Sequence, residues 1–468
     1  MKLYNTFSRQ IEDVKPLNAP TVTFYSCGPT VYDFTHLGHL RKFSNDDLLK
    51  RTLTMLGFKV NHVMNITDVG HLTGDTDDGE DKLEKGAKKT GKDVWEVAQF
   101  YTKQFTDSLN TLNILPPSTM PKATDHVAEM IELIKKLREK GFTYTTTEAI
   151  YFDTQKFAEY GKLSGQKLEE KKVSVREEVH TDPQKKHPAD FALWFFTVGR
   201  FADHVMHWKS EFGDGFPGWH IECSAMSMKY LGESIDIHSG GVDHIPVHHE
   251  NEIAQSEAAT GKPFVQIWFH SAFLNVEGQK MSKSLGNFYR VEDLIEKGVS
   301  PMALRYLYLQ THYRQPMNFT FEAAKGATSA FDNLREMIIA LKSQTERTSL
   351  STDKLEQLDE YRQQFLTAIQ NDLQIPQALA VMWSMLKSNI PSGDKYDLAL
   401  EFDEVFGLGL AHLSEEKIPE EIIALAQKRL EARKAKDYET SDVLKKEIAE
   451  KGYSVEDTAE GFKINLKK

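Results

Sequence analysis

Cysteine is nearly absent from this chain. Its 468 residues hold two, Cys27 and Cys223. Two thiols so far apart exclude the disulfide framework of a small secreted domain. Taken alone, they read as buried and inert. No run reaches the roughly 18 apolar residues that mark a membrane-spanning helix. The opening MKLYNTFSRQIEDVK has no apolar stretch of the secretory-signal kind. A cytoplasmic protein without membrane attachment is therefore expected. Positive charge is also scarce, with 57 Lys and Arg against 69 Asp and Glu and a formal net charge of −12. Bulk electrostatics give no support for nucleic-acid binding, although phosphate contacts need only a local basic stripe. One such stripe is Lys428, Arg429, Arg433, Lys434 and Lys436. With Glu431 and Asp437 interleaved, it reads equally well as a solvated helix face. No internal repeat is visible.

What is present is an ordinary globular composition, 40% hydrophobic and 27% charged, long enough for two to four domains. TVTFYSC (21–27) alternates like a strand. Leu40, Phe43, Leu49, Leu53 and Leu56 recur at near-helical spacing from about Gly38, and Gly57 supplies a stop. FKVNHVMNI (58–66) reads as the next strand. This β–α–β opening predicts a Rossmann-like, doubly wound parallel sheet. Pro116-Pro117 and Pro121 then punctuate the chain. A helix carries Val127, Met130, Ile131, Ile134 and Leu137 on one face and is closed by Gly141. A Lys/Glu-rich stretch beginning KLEEKK (167–188) reads as surface loop. The sheet resumes near 218 with a strand at SIDIHS (234–239), a helix over 248–261 and strand-rich FVQIWFHSAFLNV (264–276). Beyond about residue 300 the pattern is helical to the end. The expected division is 1–115 for the first half of the nucleotide fold, 116–214 for an insertion and 215–300 for the second half. A helical region over 301–405 and a C-terminal domain over 406–468 follow.

Two short stretches carry phosphate chemistry. In HLGH, His36 and His39 are three apart at a helix start, so both can face one ligand. Helix N-termini favour phosphate through free N–H groups and the dipole. About 240 residues later, KMSKS (280–284) sets Lys280 and Lys283 on a Ser/Gly-rich loop. Four zinc-competent donors of three types are also available at Cys27, Cys223, His248 and Glu252, the last two four apart on one helix face. Their spacing is scattered, so core thiols and a solvated helix face remain open readings on residues alone.

CGPTVYDFTHLGHLR, PGWHIECSAMSMKYLG, HHENEIAQ, GQKMSKSLGN and HYRQPMNF together resemble the cysteinyl-tRNA synthetases, of the class I aminoacyl-tRNA synthetase family. The likeness spans most of residues 1–325 and continues more loosely to the end. It implies ATP-dependent ligation of L-cysteine to tRNA(Cys) through a cysteinyl-adenylate. ATP would be held by His36, Gly38, His39, Lys280, Met281, Ser282, Lys283 and Ser284, with His36, His39, Lys280 and Lys283 catalytic and Mg2+ accompanying the nucleotide. One Zn2+ per chain would lie on Cys27, Cys223, His248 and Glu252. Thr67, Trp219, His238 and Asp243 would line the amino acid pocket, and 406–468 would bind the anticodon. A monomer is expected.

The metal assignment makes chemical sense. Cysteine and serine are nearly isosteric, and zinc prefers the soft thiolate. Four protein ligands make a closed set, so substrate binding calls for a fifth position or a loosened ligand such as Glu252. The chain departs from the family pattern in several places. HLGH has Leu37, DHIPVHHENE precedes the metal helix, Phe216 stands where arginine is frequent, and the stretch over 69–86 is long and acidic. Two other functions are weighed. A cysteine ligase with an amino-sugar acceptor, of the mycothiol type, would share both motifs but need no basic tail. A non-enzymatic RNA binder or cysteine sensor would have lost phosphate-handling residues, whereas both motifs are intact.

Overall fold

In the computed structural model, four parallel strands form the central sheet. Val265–Ser271, Ile235–Gly241, Thr21–Ser26 and Lys59–Met64 lie side by side in that order. Residues 1–70, 72, 81–166, 182–282, 285–344, 349–414, 419–458 and 461–466 are described. The first and third strands in sequence are spatial neighbours, so the strand order reverses between them. In a doubly wound sheet, the crevice at that reversal, beyond the carboxyl ends of the strands, is where ligands bind. Cys27 and Gly240-Gly241 are at those ends.

The crossover helix Leu37–Met55 has His36 as its N-cap and ends at Leu56, with Gly57 at φ 87°. Its leucines are buried, and so are Arg41, Ser44, Asn45, Asp46 and Asp47. A helix covered on every side cannot follow a simple amphipathic pattern. Each buried polar group needs a partner instead. Asp47 Oδ2 lies 2.5 Å from Arg305 and 2.8 Å from Arg51. Arg305, itself buried, also donates to the carbonyls of Phe406 and Leu112. This one side chain therefore ties the crossover helix to segments far along the chain.

The helix expected after residue 121 runs over Val127–Glu139, followed by Gly141 at φ 79°. Met130, Leu133, Ile134 and Leu137 share one core with Ile221, Ala225 and Met226 and with Ala254 and Ala258. It thus covers helices Trp219–Leu231 and His248–Thr260 of the nucleotide fold itself. The rest of this region holds more structure than its sequence suggested. Five antiparallel strands, Thr143–Thr145, Ala149–Phe152, Phe191–Phe196, Gly213–Pro217 and Trp208–Ser210, form a separate sheet in that order. FALWFF is buried along nearly its whole length, so it lacks the alternation that reveals a half-exposed strand. Phe216 is buried there, stacked on His204 at 3.8 Å between ring centres. Residues 167–181 of the polar stretch, and 71 and 73–80 of the acidic one, lie outside the described residues.

Beyond residue 300, helices Pro301–Leu309, Phe321–Lys342, Thr352–Gln370, Ile375–Leu386 and Ser392–Phe406 follow. Short Met317–Phe319 pairs with Leu274–Val276. One compact unit spans Met1–Leu410 and a second Ala411–Lys468. The second unit packs helices Glu420–Lys434 and Tyr438–Glu450 around Ile422, Leu425, Ala426, Ile448 and Val455. The helical expectation gains a feature here, because the unit closes with a hairpin of Tyr453–Thr458 and Gly461–Leu466. Arg429 leaves the basic stripe. It is buried and bonds both oxygens of Asp457, whereas Lys428, Lys434 and Lys436 are exposed. Among the described residues, no helix is long and apolar enough to cross a membrane.

Replacing Arg305 with Met would remove one of the two guanidinium partners of buried Asp47 and strip two buried carbonyls of their donor. It should destabilise the larger unit by about 3–5 kcal/mol in denaturant titration, the range for breaking a buried ion pair.

Candidate active site and metal centre

Three elements bring the four proposed metal ligands together. Cys27 follows the first strand, with its N–H bonded to the Ser239 carbonyl at 3.0 Å. Cys223 comes from the Trp219–Leu231 helix. His248 and Glu252 are one turn apart on the next helix. All four are buried, and their donor atoms lie within 4.8 Å of one another. Glu252 Oε1 is 3.0 Å from His248 Nε2, and Oε2 is 2.9 Å from His238 Nε2. The far nitrogen of His248 meets His220 Nδ1 at 3.0 Å, a second contact that fixes the ring's orientation.

A second group also meets the distance condition, Cys27, His238, His249 and Glu252. Cys27 Sγ is 3.3 Å from His249 Nε2, whose other nitrogen meets His270 at 2.8 Å. The set with two thiols suits zinc better, since thiolates are its softer ligands. The donors therefore fit the implied metal in number, type and burial. The close approach depends on Gly240. A Cβ there would lie 2.5 Å from His249 Cε1 and 2.7 Å from His244 Nδ1.

The nucleotide motifs open onto the same cavity, of about 370 Å³. Its walls include Cys27, Cys223 and His248 on one side and His36, Gly38, His39, Lys280 and Met281 on the other. The His36 and His39 rings stack at 3.6 Å. His36 Nδ1 accepts from the N–H groups of Gly38 and His39 at 3.1 and 3.3 Å. The neutral ring then carries its hydrogen on Nε2. The Leu37 N–H donates to the Tyr289 carbonyl, and that of Leu40 to His36. This corrects the expectation of free backbone donors. The first-turn N–H groups are engaged internally, and what faces the cavity is imidazole.

Asn287 fastens the base of the second motif, accepting from the Ser282 N–H at 2.7 Å and donating to the Lys280 carbonyl at 3.2 Å. Lys283 and Ser284 lie outside the described residues. Thr67, Trp219 and Asp243 line the cavity. His238 does not. It lies fully buried behind the wall, held by Glu252. Sequence reasoning passed over His249, Lys42 and Arg41. Spacing held a signal for two of them, since His249 is three residues from Glu252 and Lys42 three from His39. Arg41 clamps the chain leading to the second motif by donating to the carbonyls of Ala272, Phe273, His312 and Gln315.

Residues 13–329 match the model of the class I (C) tRNA synthetase catalytic domain. The cysteine–tRNA ligase of Treponema denticola is 41% identical over 485 aligned positions, covering 98% of each chain. That of Thermus thermophilus is 42% identical, covering 100% of this chain and 99% of its own. The chain belongs to the cysteine–tRNA ligases. Its fold is that of class I synthetases. Methionyl-tRNA synthetase of Mycobacterium tuberculosis, in complex with methionyl-adenylate, superposes with a TM-score of 0.58 at 14% identity, over 83% of this chain and 90% of that one. A ternary complex of an Agrobacterium radiobacter LeuRS with tRNA gives 0.58 at 12% identity, over 86% and 85%.

In this member of the cysteine–tRNA ligase family the side chains of the cluster shift one another's ionisation. Burial opposes charge on Glu252, yet His238 and His248 hold its carboxyl at about 2. Burial likewise opposes charge on His248, but Glu252 and Cys223 raise its imidazole to about 10. The Cys223 thiol is pushed up by its bond with Cys27 and by burial, and the Cys27 thiol by burial. The depressed carboxyl stabilises the fold above its ordinary value near 4.5, and that stability is lost as pH falls through about 2. The raised imidazole stabilises below 6.5, and its contribution is lost as pH rises through about 10. Chelator-treated protein should therefore lose thermal stability between pH 6.5 and 10. Glu252→Gln should flatten that slope in melting curves taken across the range.

Proposed function

We propose that this protein charges tRNA(Cys) with L-cysteine, using ATP, through a cysteinyl-adenylate. The observation that carries this reading is the shared cavity, with a thiol–imidazole cluster at one end and HLGH with Lys280 at the other. The full-length likeness to cysteine–tRNA ligases supports tRNA as the acceptor over an amino sugar.

In the first step, the cysteine carboxylate attacks the α-phosphate and pyrophosphate leaves. His36, through Nε2–H, His39 and Lys280 donate to oxygens on which negative charge grows, and Lys283 joins them. Each such preorganised donor commonly contributes roughly 10²–10³ in rate. Mg2+ bound to ATP would offset phosphate charge. Asp243 pairs with the substrate ammonium, Trp219 closes the cavity over it, and Thr67, anchored on Glu222 at 3.0 Å, holds the adjoining wall. Zinc on Cys27, Cys223, His248 and Glu252 would favour the substrate's thiolate over the hydroxyl of serine. In the second step, a terminal ribose hydroxyl of the tRNA attacks the acyl carbon and AMP leaves. The 411–468 unit, with exposed Lys428, Lys434 and Lys436, is proposed to contact the anticodon end.

Pyrophosphate–ATP exchange should depend on cysteine. It should exceed exchange with serine by well over the roughly 10²-fold that a pocket without a metal achieves. One zinc per chain should be found in the same sample. Absence of cysteine-dependent exchange in zinc-loaded protein would refute the reading. Cys223→Ser should lower zinc content and cysteine affinity together. Ending the chain at Leu410 should spare exchange and weaken tRNA charging, and unimpaired charging would remove the anticodon role.

A further inference from the structure

We infer that Lys42 is a substrate-binding residue whose ammonium contacts the anion formed where the cysteine carboxylate meets the α-phosphate of ATP. The inference rests on the activation chemistry proposed above.

Lys42 is three residues beyond His39 and six beyond His36, so all three occupy one face of the Leu37–Met55 helix. All three line the cavity. Lys42 is also anchored at its opposite end. Its Nζ donates to the Cys27 carbonyl at 2.8 Å, the backbone of the residue that brings the first thiol to the cluster. The cation therefore stands at the seam between the imidazole pair and the thiols. In the proposed reaction, that seam is where carboxylate and phosphate meet.

The competing explanation is that Lys42 only neutralises Asp46, whose Oδ2 is 2.8 Å away. Asp46 is sealed at 1% side-chain exposure and is held by Ser26 Oγ at 2.9 Å. Lys42 keeps 11% exposure and reaches the cavity wall. An ammonium has three donors, and the Cys27 carbonyl and Asp46 take two. Access to the cavity lowers the desolvation cost of the ammonium in either role, so position alone does not decide between them. A group that meets an incoming anion needs to be there.

The chemistry requires no proton from Lys42. A carboxylate oxygen forms a bond to the α-phosphorus. The bond from that phosphorus to the bridging oxygen breaks, and pyrophosphate departs with the electron pair. Lys42 lends positive charge to the oxygens that gain negative charge.

The test separates this role from service to Asp46. Exchange is measured for Asp46→Asn and for Lys42→Met/Asp46→Asn, each normalised to zinc content. With residue 46 uncharged in both, the pair differs only in the ammonium. The double variant should exchange at least fivefold more slowly at saturating cysteine, while its cysteine affinity by calorimetry matches that of Asp46→Asn. A loss smaller than fivefold overturns the inference. Should the double variant lack a cooperative melt, the same fivefold criterion applies between the unaltered protein and Lys42→Gln, whose amide can still donate to the Cys27 carbonyl. Absence of exchange in the unaltered, zinc-loaded protein would refute the activation reading, and this inference with it. Exchange by the unaltered protein with a ratio below fivefold refutes this inference alone.

Discussion

A carboxylate sealed from water, Glu252, makes the strictest demand in this structure. An isolated buried charge is intolerable in a protein interior, so its surroundings have to answer it. His248 and His238 take one oxygen each, and Cys27 and Cys223 crowd beside them. The same cluster that stabilises the carboxylate is a donor set for a soft metal. Much of the local architecture follows from assembling it. The strand order of the sheet sets Cys27 beside Gly240-Gly241, and the small residues there let the His244 and His249 rings close in.

The Leu37–Met55 helix carries this constraint to the nucleotide end. It begins with an imidazole cap, presents His36, His39 and Lys42 to the cavity, and sends Arg41 and Asp47 into the opposite packing layers. Arg41 holds four carbonyls of chain that leads into and out of the second phosphate motif. Asp47 accepts from Arg305 and from the Leu115 N–H. One helix thus couples the position of the phosphate donors to elements hundreds of residues away. Its lack of a single apolar stripe reflects that work, because most of its circumference is buried and Arg41, Asp46 and Asp47 find polar partners within the fold.

The parts of the fold that were legible in the sequence share a physical character. Gly57, Gly141 and Gly261 end helices in left-handed conformations, and apolar periodicity marked the helices that Gly57 and Gly141 close. The parallel strands stood out as β-rich runs between those helices. The five-stranded sheet was not legible, because FALWFF is buried without alternation and its partners are only three to five residues long. The terminal hairpin was hidden in charged sequence. Its register depends on cross-strand pairing and on packing against the unit's helices, which no local window contains.

At the site, the residue types and the two phosphate motifs belong to the sequence itself. HLGH and KMSKS, with the HIEC and HHENE stretches, carried the resemblance that the full-length relatives bear out. Helical spacing alone sets His248 and Glu252 on one face. What tertiary structure decided is which of the clustered imidazoles and thiols meet. His238 falls behind the wall, His249 approaches Cys27, and Lys42 reaches the carbonyl of a residue fifteen positions earlier. These outcomes depend on strand order and on the close packing of helices against the sheet. The Cys27–His249 contact joins residues 222 positions apart, beyond the reach of any local pattern.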